Sequence, residues 1–272
     1  MLVGFPRLAQ LHVRRVQGTW DQLGRTDPFW AVLSKESTRG GAWDREEFFA
    51  TGVAEVEALV SEIGALLPGR RRALDFGCGV GRLTYPLAKH FESVDGVDVA
   101  RSMLDVARLR SEAGGTCRFH LNLEPDLRLF EDGVFDLIYS NITLQHMPPG
   151  LARHYIVEFL RVLRPGGVAV FQLPVHWSVL GLWASLLHLY GRARESLRRK
   201  MPGWLYRAYR RVRAPGQSVP AHPSEVEMEM YGLRLSRALK AIELGGGRLL
   251  EVRIWGEVGA GGWDSYRYVV QR

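Results

Sequence analysis

An acidic residue and three glycines at alternate positions, Asp75, Gly77, Gly79 and Gly81, follow an apolar run. An amphipathic run over residues 83–91 comes next. Glycines at this spacing allow backbone angles that strain other residues, and they leave room for a ligand to lie on the main chain. The pattern predicts a strand, a tight turn and the start of a helix, with a ligand at the turn.

A second acidic residue, Asp98, ends another predicted strand over residues 93–98, 21 positions after Gly77. This is close to the spacing at which a βαβ unit places a carboxylate on a ribose. The alternative for Asp98 is a helix cap before Ser102. The dinucleotide fingerprint needs its third glycine at Arg82, which disfavours a nicotinamide or flavin dehydrogenase. A glycine turn without a ligand is the remaining alternative.

The D-x-G-x-G-x-G pattern resembles motif I of the class I S-adenosylmethionine (SAM)-dependent methyltransferases. The resemblance covers roughly residues 70–173 and 231–272, and it implies SAM as cofactor and S-adenosylhomocysteine (SAH) as product. It also implies an α/β, Rossmann-like fold, a seven-stranded, mostly parallel sheet with an antiparallel last strand and helices on both faces. The cofactor-binding residues that it implies are Asp75, Gly77, Cys78, Gly79, Gly81, Asp98, Val99, Met103, Asn122, Leu123, Ser140, Asn141 and Gln145.

Hydrophobic periodicity and turn residues predict the remaining elements. The predicted helices are 46–67, 102–113, one starting at 148–150, and 231–244, and the further strands are 116–121, 135–140, 168–173, 249–255 and 265–270. Related methyltransferases place a polar residue against the adenine amino group after the third strand, where Asn122 stands. Asn122 could equally be a loop former with local hydrogen bonds.

The chain length of 272 residues suits one domain with embellishments. We predict an N-terminal cap or lid of helices over residues 1–70, a SAM-binding core over 71–173, a helical basic insertion over 174–230 that acts as an acceptor lid, and a helix and β-hairpin over 231–272 that complete the sheet. The aromatic candidates for shaping the acceptor pocket, which could instead be packing for helix 46–67, are Trp20, Trp30, Trp43 and Phe48, with Trp183 and Trp204 in the insertion.

Histidines near two predicted strand ends are candidates for a general base, because an imidazole pKa of about 6.5 suits proton transfer near neutral pH. His146 is the leading candidate, with His176 and then His154 behind it. The alternative for His146 is a hydrogen-bonded residue that supports the loop after the fourth strand. No carboxylate pair or metal-ligand cluster stands out, so we predict no metal.

The net charge of +7 arises from one segment, since residues 190–215 hold nine basic residues against Glu195. This segment is read as a solvated lid surface, a helix for a membrane surface or apolar substrate over 179–213, or a polyanion site. Two cysteines give no disulfide framework, and no leader or long apolar run is present, so we expect a cytoplasmic protein.

The predicted function is transfer of a methyl group from SAM to an oxygen or nitrogen atom of a small, largely apolar or aromatic metabolite. Ser140-Asn141-Ile142-Thr143 differs from the tetrad of enzymes that methylate base amines, which disfavours a nucleic-acid acceptor. The alternatives are an RNA or protein methyltransferase that uses the basic insertion, and a non-catalytic SAM-binding partner protein.

Overall fold

Seven strands make up the sheet of this computed structural model, which describes residues 5–110, 115–175, 228–258 and 263–272. The strands are β1 Arg72–Phe76, β2 Ser93–Asp98, β3 Cys117–Leu121, β4 Phe135–Ser140, β5 Leu163–Val175, β6 Arg248–Val258 and β7 Trp263–Gln271. Their order across the sheet is β3-β2-β1-β4-β5-β7-β6.

Parallel pairing joins β3 to β2, β2 to β1, β1 to β4 and β4 to β5. Strand β7 is antiparallel to both of its neighbours, β5 and β6. The segments after β1, β2, β3 and β4 therefore meet at one edge of the sheet. In open α/β sheets this edge is where ligands bind.

Helices cover both faces of the sheet. The described α-helices are α1 Phe5–Thr26, α2 Pro28–Val32, α3 Arg45–Ile63, α4 Thr84–Leu87, α5 Arg101–Leu109, α6 Pro149–Val162 and α7 Leu235–Leu244. Strand β4 is buried along its whole length, with Ile138 in the core beneath α6 and α7 and its neighbours Leu137 and Tyr139 in the core beneath α3 and α4. This alternation explains its nearly continuous apolar sequence.

The fifth strand is longer than the sequence predicts. It begins at Leu163, which pairs with Phe135, and the pairing then shifts in register before Leu137 pairs with Val168. The Arg164-Pro165-Gly166-Gly167 run, which precedes the strand predicted over 168–173, therefore lies inside the strand at an irregularity. Proline is tolerated at such a position because no regular ladder bond requires its missing N–H.

Four predicted helices differ in extent from the observed ones. The helix predicted over 46–67 is α3, which ends at Ile63 and is followed by a 3-10 turn over Gly64–Leu66. Helix α7 begins at Leu235 rather than at position 231. The segment before it is instead tied to residues distant in sequence, where Tyr231 N donates to Gln145 O at 2.7 Å and Leu233 N to Pro174 O at 2.9 Å. Helix α4 ends at Leu87, four residues early, and the chain continues in turns to β2. Helix α5 ends at Leu109, and residues 111–114 of the predicted helix lie outside the described ranges.

The predicted basic insertion, including His176, Trp183 and Trp204, falls almost wholly on residues 176–227, which are not described. Within the described ranges, no helix is both long enough and apolar enough to cross a bilayer. The same ranges contain no group of three or more His, Cys, Asp or Glu residues placed to share a metal ion. Both cysteines are free thiols.

Candidate functional site

A cavity opens at the carboxyl ends of β1, β2, β3 and β4. The space between its walls is about 720 Å³, part of which is open solvent. Its lining is Val16, Trp20, Ala31, Val32, Phe76, Gly77, Gly79, Val97, Asp98, Val99, Met103, Asn122, Asn141, Ile142, Thr143, His146, Met147 and Tyr155. We name Gly77, Gly79 and Asp98 the glycine-side wall, and Asn141, Ile142, Thr143 and His146 the β4-side wall.

The glycine turn after β1 has the backbone angles that its sequence predicts. Gly77, Gly79 and Gly81 have φ values of 77°, 51° and 80°, all in the left-handed region. A Cβ on Gly77 would lie 2.2 Å from the side chain of Thr143, and one on Gly79 would lie 2.9 Å from Val32 Cγ2. The absence of a Cβ at Gly77 and Gly79 therefore allows Thr143 and Val32 to pack against the turn, and it also leaves the backbone open to a ligand.

Asp98 lies at the end of β2 and joins the glycine turn to the next loop. Its Oδ2 accepts from Gly79 N at 2.9 Å and its Oδ1 from Ala100 N at 2.8 Å. Burial raises the pKa of the carboxyl, and the two N–H groups oppose that rise. Helix α5 is preceded by Ala100 and has no side-chain cap, so Asp98 is not its N-cap. Each carboxylate oxygen keeps a lone pair for a further donor.

Three other predicted cofactor residues of the turn do not line the cavity. Asp75 is 1% exposed, and its Oδ2 accepts from Thr84 Oγ1 at 2.6 Å; burial raises the pKa of this carboxyl to about 7. Cys78 is also buried, which raises the pKa of its thiol. Gly81 faces Tyr85, whose Cε2 would lie 2.9 Å from an added Cβ. Their positions suit support of the turn rather than ligand contact.

Asn141 reaches the cavity from the end of β4 and is held from behind by helix α3. Its Nδ2 donates to Glu55 Oε1 at 2.7 Å, an oxygen that also accepts from Tyr139 OH at 2.8 Å. Glu55 Oε2 accepts from Arg82 Nη2 at 2.8 Å. The predicted cofactor residue Ser140 instead points into the core, where its Oγ has no partner among the described residues.

His146 lines the cavity, but both of its ring nitrogens are engaged. Nδ1 lies 2.9 Å from the carbonyl oxygen of Glu229, and Nε2 lies 3.1 Å from Gln145 Nε2. Since a carbonyl only accepts, Nδ1 carries the proton and Nε2 accepts from the Gln145 amide. Burial lowers the pKa of the imidazole from 6.5 to about 4. This geometry favours the supporting role for His146, and its role as a general base stays a prediction.

Gln145, predicted on the cofactor, is 3% exposed and absent from the cavity lining. Its Oε1 accepts from Gln172 Nε2 at 3.1 Å, while its own amide group meets His146. It therefore acts behind the β4-side wall. The other base candidate within the described ranges, His154, lies on α6 and does not line the cavity.

Asn122 lines the cavity and also makes the local bonds expected of a loop former. Its Nδ2 donates to Asp126 O at 2.8 Å, and its Oδ1 accepts from Glu124 N at 3.1 Å. Val99 and Met103 line the cavity as well, whereas Leu123 does not, and the carbonyl oxygen of Leu123 accepts from Gln10 Nε2 at 2.8 Å. Contact of Asn122 with adenine stays a prediction.

The N-terminal helices supply one side of the cavity, but only one of their predicted aromatic residues reaches it. Trp20 lines the cavity and packs edge-on against His146, with ring centroids 4.9 Å apart. Phe48 is fully buried and packs against Trp43, whose Nε1 donates to Leu33 O. Trp30 packs against the Arg39 guanidinium at 4.8 Å. These three belong to the packing around α3 and α2.

Several cavity residues escape sequence reasoning. Val16, Ala31 and Val32 are apolar residues of helices, and nothing in their local sequence marks them as part of a ligand site. Val32 differs only in that it packs against Gly79 of the glycine motif. Gln172 lies behind the wall in the middle of an apolar strand, where a buried amide is itself a signal, because buried polar groups need partners.

The family model described as a methyltransferase domain matches residues 73–167. These residues form a methyltransferase domain of class I. The domain is similar to malonyl-[acyl-carrier protein] O-methyltransferase of Salmonella typhimurium, which is 32% identical over 160 residues that make up 55% of this chain and 60% of that protein. Trans-aconitate 2-methyltransferase of Deinococcus radiodurans is 36% identical over 125 residues, 44% of this chain and 45% of that protein. The chain spans about half the length of the curated relatives it matches.

A solved structure with the same fold as this chain is magnesium protoporphyrin IX methyltransferase from Synechocystis PCC 6803 with bound SAH. It superposes with a TM-score of 0.58 at 18% identity, covering 95% of this chain and 99% of that one. This likeness concerns the fold. Together with the strand order, it confirms the predicted Rossmann-like sheet with β7 antiparallel.

Proposed function

We propose that the cavity is a SAM site and that the chain transfers the methyl group to an oxygen or nitrogen atom of a small, largely apolar or aromatic metabolite. The observation that carries this proposal is the placement of the Asp98 carboxylate in the cavity wall, tied to Gly79 of the left-handed turn, within a methyltransferase domain.

The glycine-side wall suits a nucleoside with free hydroxyl groups. Each Asp98 oxygen accepts one backbone N–H and has capacity for a ribose hydroxyl. Hydrogen bonds to a charged group contribute about 1.5–3 kcal/mol each. Burial raises the pKa of this carboxyl because it disfavours the ionised form. Hydrogen bonds from ribose hydroxyls would stabilise the ionised form and so oppose that effect.

When bound, SAM supplies an electrophilic methyl group on a positively charged sulfur. The work left to the chain is to align the acceptor with that methyl and to exclude water, since proximity alone can supply about 7–11 kcal/mol at best. Trp20, Val16 and Val32 are placed to exclude water on the side of the N-terminal helices. This placement supports a cap role for residues 1–70.

The apolar character of that side supports an apolar acceptor. Trp20 and the aliphatic side chains of Val16, Ala31 and Val32 line this side of the cavity. Met147 adds a thioether to the cavity lining. Relatives include both ubiquinone biosynthesis O-methyltransferase of Xanthomonas axonopodis pv. citri and phosphoethanolamine N-methyltransferase of wheat, Triticum aestivum. The proposal therefore includes both oxygen and nitrogen acceptors. It also includes residues 174–230 as the acceptor lid.

His146 serves in this proposal as a residue that shapes the site. Its pKa of about 4 keeps the ring neutral at pH 7, and accepting a proton at Nε2 would break the bond from Gln145. An acceptor that arrives ionised, or that loses its proton to solvent, needs no base from this position. His176 keeps its place as the second candidate for a base.

The test is calorimetric titration of the purified chain with SAH, followed by transfer of labelled methyl groups from SAM to small-molecule extracts. We expect one SAH site per chain, no binding of nicotinamide dinucleotide, and label in an organic-soluble product. Absence of SAH binding would overturn the cofactor assignment. SAH binding with label only in protein or RNA would overturn the acceptor class, and SAH binding with no labelled product from any fraction would favour a non-catalytic partner.

A further inference from the structure

Ile142 in the β4-side wall has an unusual backbone conformation. Its φ is 58°, and among the described residues no other residue except glycine has a positive φ. A β-branched side chain strongly disfavours the left-handed region, so this conformation must be imposed by its surroundings. Such strained positions persist where neighbouring structure fixes them, and they concentrate at ligand sites. Ile142 lines the cavity.

One side chain holds this residue from behind. Gln172, on β5 and 3% exposed, accepts the Ile142 N–H at its Oε1 over 3.2 Å. The other end of its amide donates to Gln145 Oε1 at 3.1 Å and also contacts Ser265 Oγ. All three polar partners of Gln172 therefore lie within the protein.

The hydrogen-bond chain continues beyond Gln145 to His146 and ends at the carbonyl oxygen of Glu229. A backbone N–H at one end must donate, and a backbone carbonyl at the other must accept. Each group between them, Gln172, Gln145 and His146, then has one orientation that satisfies both neighbours. We call these three side chains the amide relay.

We propose that Gln172 is a positioning residue for the cofactor cavity: through the amide relay it holds Ile142 in the left-handed conformation and so fixes the shape of the β4-side wall. The inference rests on the proposed function, because the ligand whose affinity reports the wall is SAH. Gln172 itself does not line the cavity.

The test compares four proteins by SAH titration: the wild type, Gln172→Met, Ile142→Gly and the double variant. Without the bond to Gln172, Ile142 is free to relax out of the left-handed region and the β4-side wall changes shape, so we expect Gln172→Met to weaken SAH binding by about 10-fold or more. Glycine adopts a positive φ without strain. In the Ile142→Gly background, the same change should therefore weaken binding less than about threefold.

The matched control is Gln271→Met, which changes the same residue type at the far end of β7, where Gln271 bonds to Gly166 O and Arg248. Its SAH affinity should equal that of the wild type. Equal weakening by Gln172→Met in both backgrounds, or no weakening in either, would overturn the inference while wild-type binding still supports the proposed function. Failure of the wild type to bind SAH would overturn both.

A measurement on the wild type alone covers the case in which Gln172→Met does not fold. The relay requires the proton of His146 on Nδ1, so ¹⁵N NMR of the imidazole at pH 7 should report the Nδ1–H tautomer. Detection of the Nε2–H tautomer would overturn the relay, since Nε2 would then present a donor to the donor group of Gln145.

Discussion

The two walls of the cavity are built in different ways. The glycine-side wall is fixed mainly by backbone: left-handed glycines after β1, and an aspartate at the end of β2 whose oxygens accept the N–H groups of Gly79 and Ala100. The β4-side wall is fixed by hydrogen bonds from distant segments, two from side chains and one from a backbone carbonyl. Glu55 holds Asn141, Gln172 holds Ile142, and the carbonyl of Glu229 holds His146.

This difference determines how each wall should respond to mutation. A wall made of backbone tolerates little added volume, because its atoms cannot turn away. A wall held by buried side-chain hydrogen bonds is sensitive to the loss of a partner, because an unsatisfied buried group costs about 1–3 kcal/mol. It also depends on the protonation state of any titratable member. The following predictions test each property in turn.

The largest effect is expected for Gly77→Ala. Position 77 has a left-handed backbone, which strains alanine, and the new Cβ would lie 2.2 Å from Thr143. The free energy of unfolding should therefore fall by about 2–5 kcal/mol, with loss of SAH binding. Gly246→Ala is the matched control, because Gly246 has the same φ of 77° with nothing within 4 Å. Chemical denaturation should show only about 1–2 kcal/mol there. Equal losses at the two positions would exclude the Thr143 contact as a cause.

The β4-side wall should make stability fall in mild acid. The unfolded chain binds a proton at His146 below pH 6.5, whereas the folded chain does so only near pH 4, so in this window the unfolded state holds more protons. The free energy of unfolding should therefore decrease as pH falls from 6.5 to 4, by about 3 kcal/mol from this residue. Denaturation of wild type and His146→Gln at several pH values measures the difference. Parallel profiles would contradict the neutral, hydrogen-bonded imidazole.

Asp98→Ala tests the ligand contact of the glycine-side wall. Removing the carboxylate should weaken SAH binding by about 10- to 100-fold, because hydrogen bonds to a charged group are lost. Asp105→Ala, on α5, is the control, since Asp105 is exposed and its ion pair within the described ranges is with Arg108 at 3.3 Å. Calorimetry should find that control within about twofold of wild type. An unchanged affinity for Asp98→Ala would remove Asp98 from the ribose role.

The smallest effect is expected for Asp75→Asn. Asp75 lies behind the turn, and an asparagine oxygen can still accept from Thr84 Oγ1. Burial raises the pKa of Asp75 to about 7, which means that the ionised form is strongly disfavoured. Loss of the negative charge should therefore change the SAH affinity little. SAH affinity should stay within about twofold of wild type at pH 7. A tenfold loss would instead support Asp75 as a direct cofactor ligand, as the motif alone suggests.

The contrast between the walls also explains what could be predicted from sequence. The glycine-side wall is encoded locally: three glycines need left-handed angles, and Asp98 follows at a spacing set by one βαβ unit. The strand order and the antiparallel β7 follow from the resemblance that this motif carries. Strand β4 was predicted with its observed limits because burial on both faces leaves a continuous apolar run.

The β4-side wall could not be predicted in the same way. Gln172 is 30 positions from Ile142, and Glu55 is 86 positions from Asn141, so no local pattern links either pair. Helix α7 was placed too early for a related reason, since the residues before it are held by hydrogen bonds from Tyr231 and Leu233 to the distant residues Gln145 and Pro174. Ends of elements depend on such tertiary hydrogen bonds, whereas periodicity records only the apolar face.

The central claim is that the glycine turn and Asp98 form a SAM site, and a crystal structure of the chain grown with SAH tests it most directly. We expect SAH in the cavity, with its ribose hydroxyl oxygens within about 3 Å of the Asp98 carboxylate and its amino-acid end against the backbone of Gly77 and Gly79. SAH bound elsewhere, or a cavity closed by protein side chains in the presence of saturating SAH, would contradict it.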